Sequence, residues 1–262
     1  MIRRLTPASV VLLAGVTLAW PQRPSGPDAQ AAIEKSRRKA LAYAKSLPDF
    51  MCTEVIRRYV DPQRRSAWLP SDKLTIKLSF FQQTEEHKLM LIDDKPTGRK
   101  FDSLEGATGE GEFGGTLDRI FDPSSEASFR WESWKNQRNH RAAVYSYVVQ
   151  VAHSNYLMVS GIPGDNQQAI VGFHGELEID RESGAVLHFT YQADRIPLRL
   201  GLDYALTMVD YDYADVGGRN YLLPARSETE MRGPQLSVRN EIEFREYRKF
   251  STESTITYGD RK

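Results

Sequence analysis

Five histidines are the side chains in this sequence best suited to metal binding or acid–base chemistry: His87, His140, His153, His174 and His188. They form no HxH or HExxH motif, and the chain has too few cysteines for a cysteine-based zinc site. The sequence therefore predicts no metal site and no cofactor.

Nucleophiles are equally sparse. Cys52 is the only cysteine, and its apolar, strand-like surroundings favour a buried, inert thiol over a nucleophile. The GxSxG motif of serine nucleophiles is absent. The many carboxylates could act as a glycosidase pair only if the fold brought two of them into one cleft. We therefore expect a protein that is not an enzyme and assign no catalytic residues.

A glycine-rich stretch runs from Leu104 to Gly115, LEGATGEGEFGG. A phosphate-binding loop would require a following Gly-Lys-Ser/Thr and a strand–loop–helix context, and neither is present. A mobile lid or a plain flexible loop is the favoured interpretation.

Composition excludes further classes of function. The chain of 262 residues carries 35 basic and 35 acidic residues and so has no net charge. No global basic field exists to hold nucleic acid, and we expect no nucleic-acid partner. Many tyrosines lie in predicted strands, where they could stack on bases or sugars, but filling of a β-sheet core is the favoured interpretation.

The first residues have the pattern of a secretory signal peptide. Arg3 and Arg4 precede an uncharged run from Ala8 to Ala19, and Thr17 and Ala19 supply the small residues of a cleavage site. An uncleaved anchor or a buried helix is the alternative. We expect cleavage near Ala19 and a periplasmic or secreted protein. Since Cys52 has no second cysteine to pair with, the protein's hydrophobic core must hold the fold. No disulfide-linked partner is required.

The expected organisation is a signal peptide at 1–19, a linker at 20–27, a single half-barrel-like domain at 28–258 and a tail at 259–262. Asp28 is the expected N-cap of a helix from Ala29 to Ser46, which Pro48 ends. A second, short helix is expected from Thr116 to Phe121, because Leu117, Ile120 and Phe121 share one helical face.

After Pro48 the hydrophobic period changes from that of a helix to that of a strand. About ten short strands with polar turns follow, without intervening long helices, which predicts an antiparallel sheet. A sheet of this size must curl or close. The predicted fold is mainly β (α+β): a strongly curved antiparallel sheet or half-barrel with an N-terminal helix and a short internal helix.

One hairpin can be assigned a register. A turn with Gly184 in the left-handed conformation places Ile179 opposite Leu187, Leu177 opposite Phe189 and Phe173 opposite Ala193. On the other face Glu178 opposes His188, and we expect these two to form an exposed pair of small energetic value.

The apolar halves of three alternating segments supply the candidate ligand-binding residues. Because side chains alternate along a strand, we expect them to point to one side of the sheet and to line or floor its concave face. These residues are Leu74, Ile76, Leu78, Phe80, Val171, Phe173, Leu177, Ile179, Leu236, Val238, Ile242 and Phe244.

Several segments resemble the lipoprotein-carrier half-barrels of the Gram-negative envelope, the Lol-type group. They are Glu176–Asp180 with the turn at Ser183 and Gly184, Val216–Arg219 before Tyr221–Pro224, and the ending Tyr247–Phe250. The resemblance implies an incomplete barrel whose concave apolar face holds acyl chains or apolar peptides. The arginine that locks the lid of the carriers has no assignable counterpart in this sequence.

Together these features predict an exported, non-catalytic protein that binds a lipid, an acyl chain or a lipoprotein segment on the concave face. The alternative is a structural or assembly factor of the envelope that binds another protein through its sheet. An enclosed apolar cavity would favour the first hypothesis, and a filled core with an exposed apolar patch would favour the second.

Overall fold

A computed structural model describes residues 26–65, 67–104, 111–137, 140–160, 167–234 and 236–250. The predicted signal peptide, most of the predicted linker, the middle of the glycine-rich stretch and the predicted tail lie outside these residues.

Two helices and twelve strands make up the described chain. The helices are α1 (Gly26–Ser46) and α2 (Gly115–Phe121). The strands are β1 (Phe50–Asp61), β2 (Leu69–Phe81), β3 (Thr84–Ile92), β4 (Lys95–Pro96), β5 (Ser128–Gln137), β6 (His140–Val149), β7 (Tyr156–Val159), β8 (Gln168–Asp180), β9 (Val186–Asp194), β10 (Tyr204–Asp215), β11 (Asn220–Arg232) and β12 (Ser237–Lys249).

All twelve strands belong to one open, curved antiparallel sheet. Its order is β4-β3-β2-β1-β12-β11-β10-β9-β8-β6-β5, and β7 pairs with the first residues of β8 beside β6. The last strand, β12, lies between β1 and β11, so the two ends of the strand sequence meet in the middle of the sheet. The predicted fold class is confirmed.

Element boundaries differ from the prediction in three places. Helix α1 begins at Gly26, so the last two residues of the predicted linker belong to it. Helix α2 begins one residue earlier than predicted, at Gly115. Leu236 precedes β12, and its side chain is 45% exposed.

The β8–β9 hairpin has the predicted register over most of its length. Leu177 opposes Phe189, Phe173 opposes Ala193 and Glu178 opposes His188. The pairing of Ile179 with Leu187 was wrong, because a bulge after Glu178 places Ile179 opposite Val186.

Helix α1 is anchored to the β8–β9 turn, to α2 and to β11 by polar contacts. Ser36 is fully buried and donates a hydrogen bond to the carbonyl of Gly184 (2.7 Å) in the β8–β9 turn. Arg37 donates to the carbonyl of Phe121 (2.8 Å), and Tyr43 donates to that of Leu222 (2.9 Å) in β11. These bonds place the apolar face of the helix on the sheet. We call the face that α1 and α2 cover the inner face, and the opposite one the outer face.

Candidate functional site

The twelve candidate residues fall into distinct parts of the inner face rather than one lining. Six of them, in β2 and β12, pack together with residues of β1, and we call this group the trough cluster: Phe50, Cys52, Ile56, Leu74, Ile76, Leu78, Phe80, Ile242 and Phe244. Phe173, Leu177 and Ile179 belong to a second cluster beneath the helices. Val171 lies in a third, smaller cluster, Val238 is half-buried, and Leu236 is exposed and precedes its strand.

The half of the inner face over β6, β8 and β9 is filled by the two helices. Ile33 and Ala40 of α1 and Leu117, Ile120 and Phe121 of α2 are buried there. The buried rings of Tyr145, Tyr147 and Tyr211 fill the same cluster, so these tyrosines serve the core as predicted. This half therefore has the packing of an ordinary protein interior.

The trough cluster is covered differently, chiefly by the ring of Phe113 from an irregular segment, and the partly buried side chains of Leu47, Phe101 and Leu104 also pack against it. Phe113 is 2% exposed and inserts among three rings of the sheet. Its ring centroid lies 5.3 Å from that of Phe50, 5.5 Å from that of Phe244 and 6.0 Å from that of Phe80. We call residues 111–114, which carry this ring, the plug segment.

Glycines hold the plug segment in a tight turn. Gly111 and Gly114 have φ values of 103° and 121°, where residues with side chains are strained. A Cβ atom at Gly114 would lie 2.9 Å from the Cβ of Ala44 in α1. The turn leads directly into α2, through hydrogen bonds from the amides of Gly114 and Thr116 to the carbonyl of Gly111.

A carboxyl group lies buried in the apolar trough. Glu54 of β1 is 3% exposed. It lies opposite Ile76 of β2 on one side and opposite Phe244 of β12 on the other. Burial, followed by the charges of Glu112 and Glu85, raises the pKa of this carboxyl from 4.5 to about 8. Within the described part of the chain, its Oε2 atom has no hydrogen-bond partner, and Nε2 of His87 is 3.5 Å away.

A second carboxyl group enters the same region on the plug segment. Glu112, next to Phe113, is 5% exposed. Its Oε1 accepts a hydrogen bond from Ser227 (3.1 Å), and its carbonyl accepts one from the hydroxyl of Tyr211 (2.6 Å). The plug segment is therefore held by one ring and two hydrogen bonds, and it brings a second carboxyl group near Glu54.

Sequence reasoning missed Glu54, Glu112 and Phe113. The strand Phe50–Asp61 did contain a signal, because Glu54 shares its face with Cys52 and Ile56. A carboxyl at an apolar position of an alternating strand is costly unless it has a partner or a function. No comparable signal marks Phe113, which lies among glycines.

Strands β11 and β12 separate at one end beside the trough. Their pairing stops at Arg226 and Glu243. Beyond that point the hydroxyl of Tyr247 donates to the carbonyl of Pro224 (2.7 Å), as Tyr43 does to Leu222. An open cleft of about 360 Å³ lies here, lined by residues of β10, β11 and β12 that include Phe244.

The predicted exposed pair of Glu178 and His188 was wrong. The two residues oppose each other, but Glu178 is only 5% exposed and forms an ion pair with Lys135. His188 lies 2.9 Å from Asp210, measured from Nδ1 to Oδ1. Asp210 lies on β10, which flanks β9, and Lys135 lies on β5, one strand beyond β6.

Within the residues that the structure describes, no group of three or more His, Cys, Asp and Glu side chains could hold a metal ion. No helix in the described part of the chain is long and apolar enough to cross a membrane. Cys52 is buried, and its burial raises the pKa of the thiol well above the usual range.

Neither a protein-family model nor a curated protein matches the sequence. Several solved structures are similar to the fold. One is a DUF1329 family protein from Desulfovibrio piger, at 10% identity over 86% of this chain and 94% of that chain, with a TM-score of 0.36. Another is a LolA superfamily protein from Nitrosomonas europaea, at 8% identity over 85% and 94% and a TM-score of 0.30.

A third is the lipoprotein LppX from Mycobacterium tuberculosis, at 8% identity over 85% of this chain and 96% of that chain, with a TM-score of 0.30. One of these three is named as a LolA superfamily protein, and several segments of this sequence resemble that group. The likeness concerns the arrangement of strands and carries no information on ligands.

Proposed function

We propose that this chain is an exported, non-catalytic binding protein that holds an apolar or amphipathic ligand on the inner face of its sheet. The ligand class is a lipid, an acyl chain or the lipidated segment of a lipoprotein. The observation that carries the proposal is the ring of Phe113, which a glycine-flanked turn inserts into the trough cluster, where the other half of the face is filled by helices.

Displacement of this ring gives the ligand its site. The floor of the trough consists of fully buried apolar side chains, among them Ile76 and Leu78. An acyl chain that takes the place of Phe113 gains about 0.8 kcal/mol per buried CH₂. A chain of ordinary length therefore offsets the contacts that one phenyl ring loses, and the anchors of α1 at Ser36 and Tyr43 stay in place.

A specific observation supports the alternative, a partner protein bound through the sheet. Three apolar side chains are half-exposed where β7 pairs with β8: Leu157, Val159 and Ile170 are 51%, 57% and 52% exposed. A cluster of this kind at a sheet edge is typical of protein interaction sites. This hypothesis requires no opening of the trough.

Titration with cis-parinaric acid, a fluorescent acyl probe, tests the ligand proposal on delipidated protein. We expect saturable binding at micromolar probe, and binding about tenfold tighter in Phe113→Ala, since the competing ring is gone. Phe129→Ala is the matched control, because it removes a ring that packs only against the helix-covered cluster. Its affinity should equal that of the wild type. Absence of saturable binding in both wild type and Phe113→Ala would overturn the proposal and leave the partner hypothesis.

A further inference from the structure

We propose that Glu54 and Glu112 form a proton-dependent latch on the plug segment. The plug stays closed on the trough while this buried carboxyl pair holds a proton, and it opens when the proton is lost. The inference rests on the proposed function, because the latch would control access to the proposed ligand face.

The geometry places the two carboxyl groups on opposite sides of the closure: the ring of Phe113, next to Glu112, lies 5.5 Å from that of Phe244, which opposes Glu54. Glu54 is fixed in the sheet, at the centre of β1, while Glu112 travels with Phe113 on the plug segment. Both are at least nine-tenths buried, so water screens their repulsion poorly. A pair of anions at this position repels the plug from the sheet, whereas a protonated Glu54 is neutral and can also donate a hydrogen bond.

Titratable groups surround Glu54 on each neighbouring element. The charged groups that shift the pKa of Glu54 are Glu112 and Glu85, and neither is a cation. Strand β3 contributes Glu85 and His87, and the plug contributes Glu112. Cys52 lies on Glu54's own strand, beside Tyr247 of β12. Tyr43 of α1 and Tyr211 of β10 lie in the same region, where burial, and to a lesser extent the charge of Glu85, raises the pKa of both hydroxyls. Arg58, further along β1, is bound by Asp72.

The sign of the pH effect follows from the direction of the shift. In the closed state the pKa of Glu54 is about 8, above the 4.5 of a solvated glutamate. The closed state therefore binds the proton more tightly, and its advantage is complete below pH 4.5 and lost as the pH rises to about 8. One titrating group limits the change in the opening equilibrium to tenfold per pH unit.

Amide hydrogen exchange in residues 114–118 measures the opening directly, once intrinsic exchange rates are corrected for, between about pH 5 and about pH 8. We expect the opening constant of the wild type to rise by up to tenfold per pH unit. Glu54→Gln should abolish this rise. Glu86→Gln is the matched control, because Glu86 is an exposed residue of β3, and its variant should behave as the wild type.

Two further variants decide between titrating groups. Glu112→Gln removes the facing charge, so the rise should move to lower pH, and this variant also serves if Glu54→Gln fails to fold. His87→Gln should leave the rise in place. A flat wild-type profile, an unchanged profile in Glu54→Gln or Glu112→Gln, or loss of the rise in His87→Gln would each overturn the latch.

The readout needs no ligand, so the two proposals can fail separately. A pH-dependent exchange profile without any binding of cis-parinaric acid would support the latch and overturn the ligand-binding function. Probe binding with a flat exchange profile would overturn the latch alone.

Discussion

Gly184 shows how a single backbone conformation fixes both a hairpin and a helix. Its φ of 73° lies in the left-handed region, which is open to glycine at little cost. Its carbonyl accepts the hydrogen bond from Ser36, and Glu182 in the same turn accepts one from Lys35. The turn therefore sets the register of β8 and β9 and the position of α1 at once.

Replacement of Gly184 by valine should destabilise the fold by about 1–3 kcal/mol, through backbone strain. The new Cβ would also lie 2.9 Å from Cγ of Lys35, so the contact with α1 must shift. Urea unfolding of the two proteins measures the difference in the free energy of unfolding. Gly98→Val is the control, since no atom lies within 4 Å of its added Cβ. Equal stability of Gly184→Val and wild type would contradict the account of this turn.

For Glu54, the sequence predicts which face of the sheet the residue lies on, but not which residues surround it. Alternation along Phe50–Asp61 assigns Glu54 to the inner face, since Phe50, Cys52 and Ile56 share it. Its chemistry depends on Glu112, which is distant in sequence and comes close only because the plug segment folds back onto β1. Alternation finds the face of a residue, but not the neighbour that a loop brings to it.

At the scale of elements, side-chain hydrogen bonds to β11 take the place of backbone pairing where β11 and β12 separate. The carbonyls of Leu222 and Pro224 accept hydrogen bonds from Tyr43 and Tyr247. Burial raises the pKa of both tyrosines well above the usual range, so they stay neutral donors at all ordinary pH values. These bonds fasten the end of α1 and the last strand to the sheet next to the trough.

Tyr247→Phe should lower the free energy of unfolding by about 1 kcal/mol, because the Pro224 carbonyl loses its donor while the ring remains. Chemical denaturation gives the difference. Tyr213→Phe is the matched control, since Tyr213 is 48% exposed and its hydroxyl should contribute little. A loss of stability in Tyr213→Phe as large as that in Tyr247→Phe would show that the hydrogen bond is not the cause.

The elements themselves follow closely from the sequence. Period-two alternation identified β2, β8 and β12, and Pro48 marked the end of α1. The order of strands did not follow, because the insertion of β12 between β1 and β11 pairs segments from opposite ends of the chain. Local patterns carry no record of such long-range pairing. The bulge at Ile179 was missed because the alternation of apolar residues is compatible with either pairing.

At the scale of the whole molecule, one continuous sheet carries two differently covered halves. Helices α1 and α2 fill the half over β6, β8 and β9, and Phe113 inserts into the half over β1, β2 and β12, where Leu47, Phe101 and Leu104 also pack. The expectation that all twelve candidate residues share one lining fails on this division. Only the six that belong to the trough cluster, four in β2 and two in β12, lie where displacement of the plug would expose them.

Because of this division, the half under the helices serves the stability of the fold, and the half under Phe113 is the one proposed to bind a ligand. A ligand that enters beneath the helices must break the core that holds them, whereas a ligand that displaces the plug leaves α1, its anchors at Ser36 and Tyr43, and the sheet intact. We therefore expect the protein to bind an acyl chain without unfolding.

Photo-crosslinking with a fatty acid that carries a diazirine on its acyl chain tests the central claim most directly. After irradiation, digestion and mass spectrometry locate the modified peptides. We predict crosslinks to β1, β2 and β12, concentrated around Leu78 and Phe244, and more of them in Phe113→Ala. Crosslinks confined to the exposed apolar residues of β7 and β8, or no crosslinks to the trough in either protein, would contradict it.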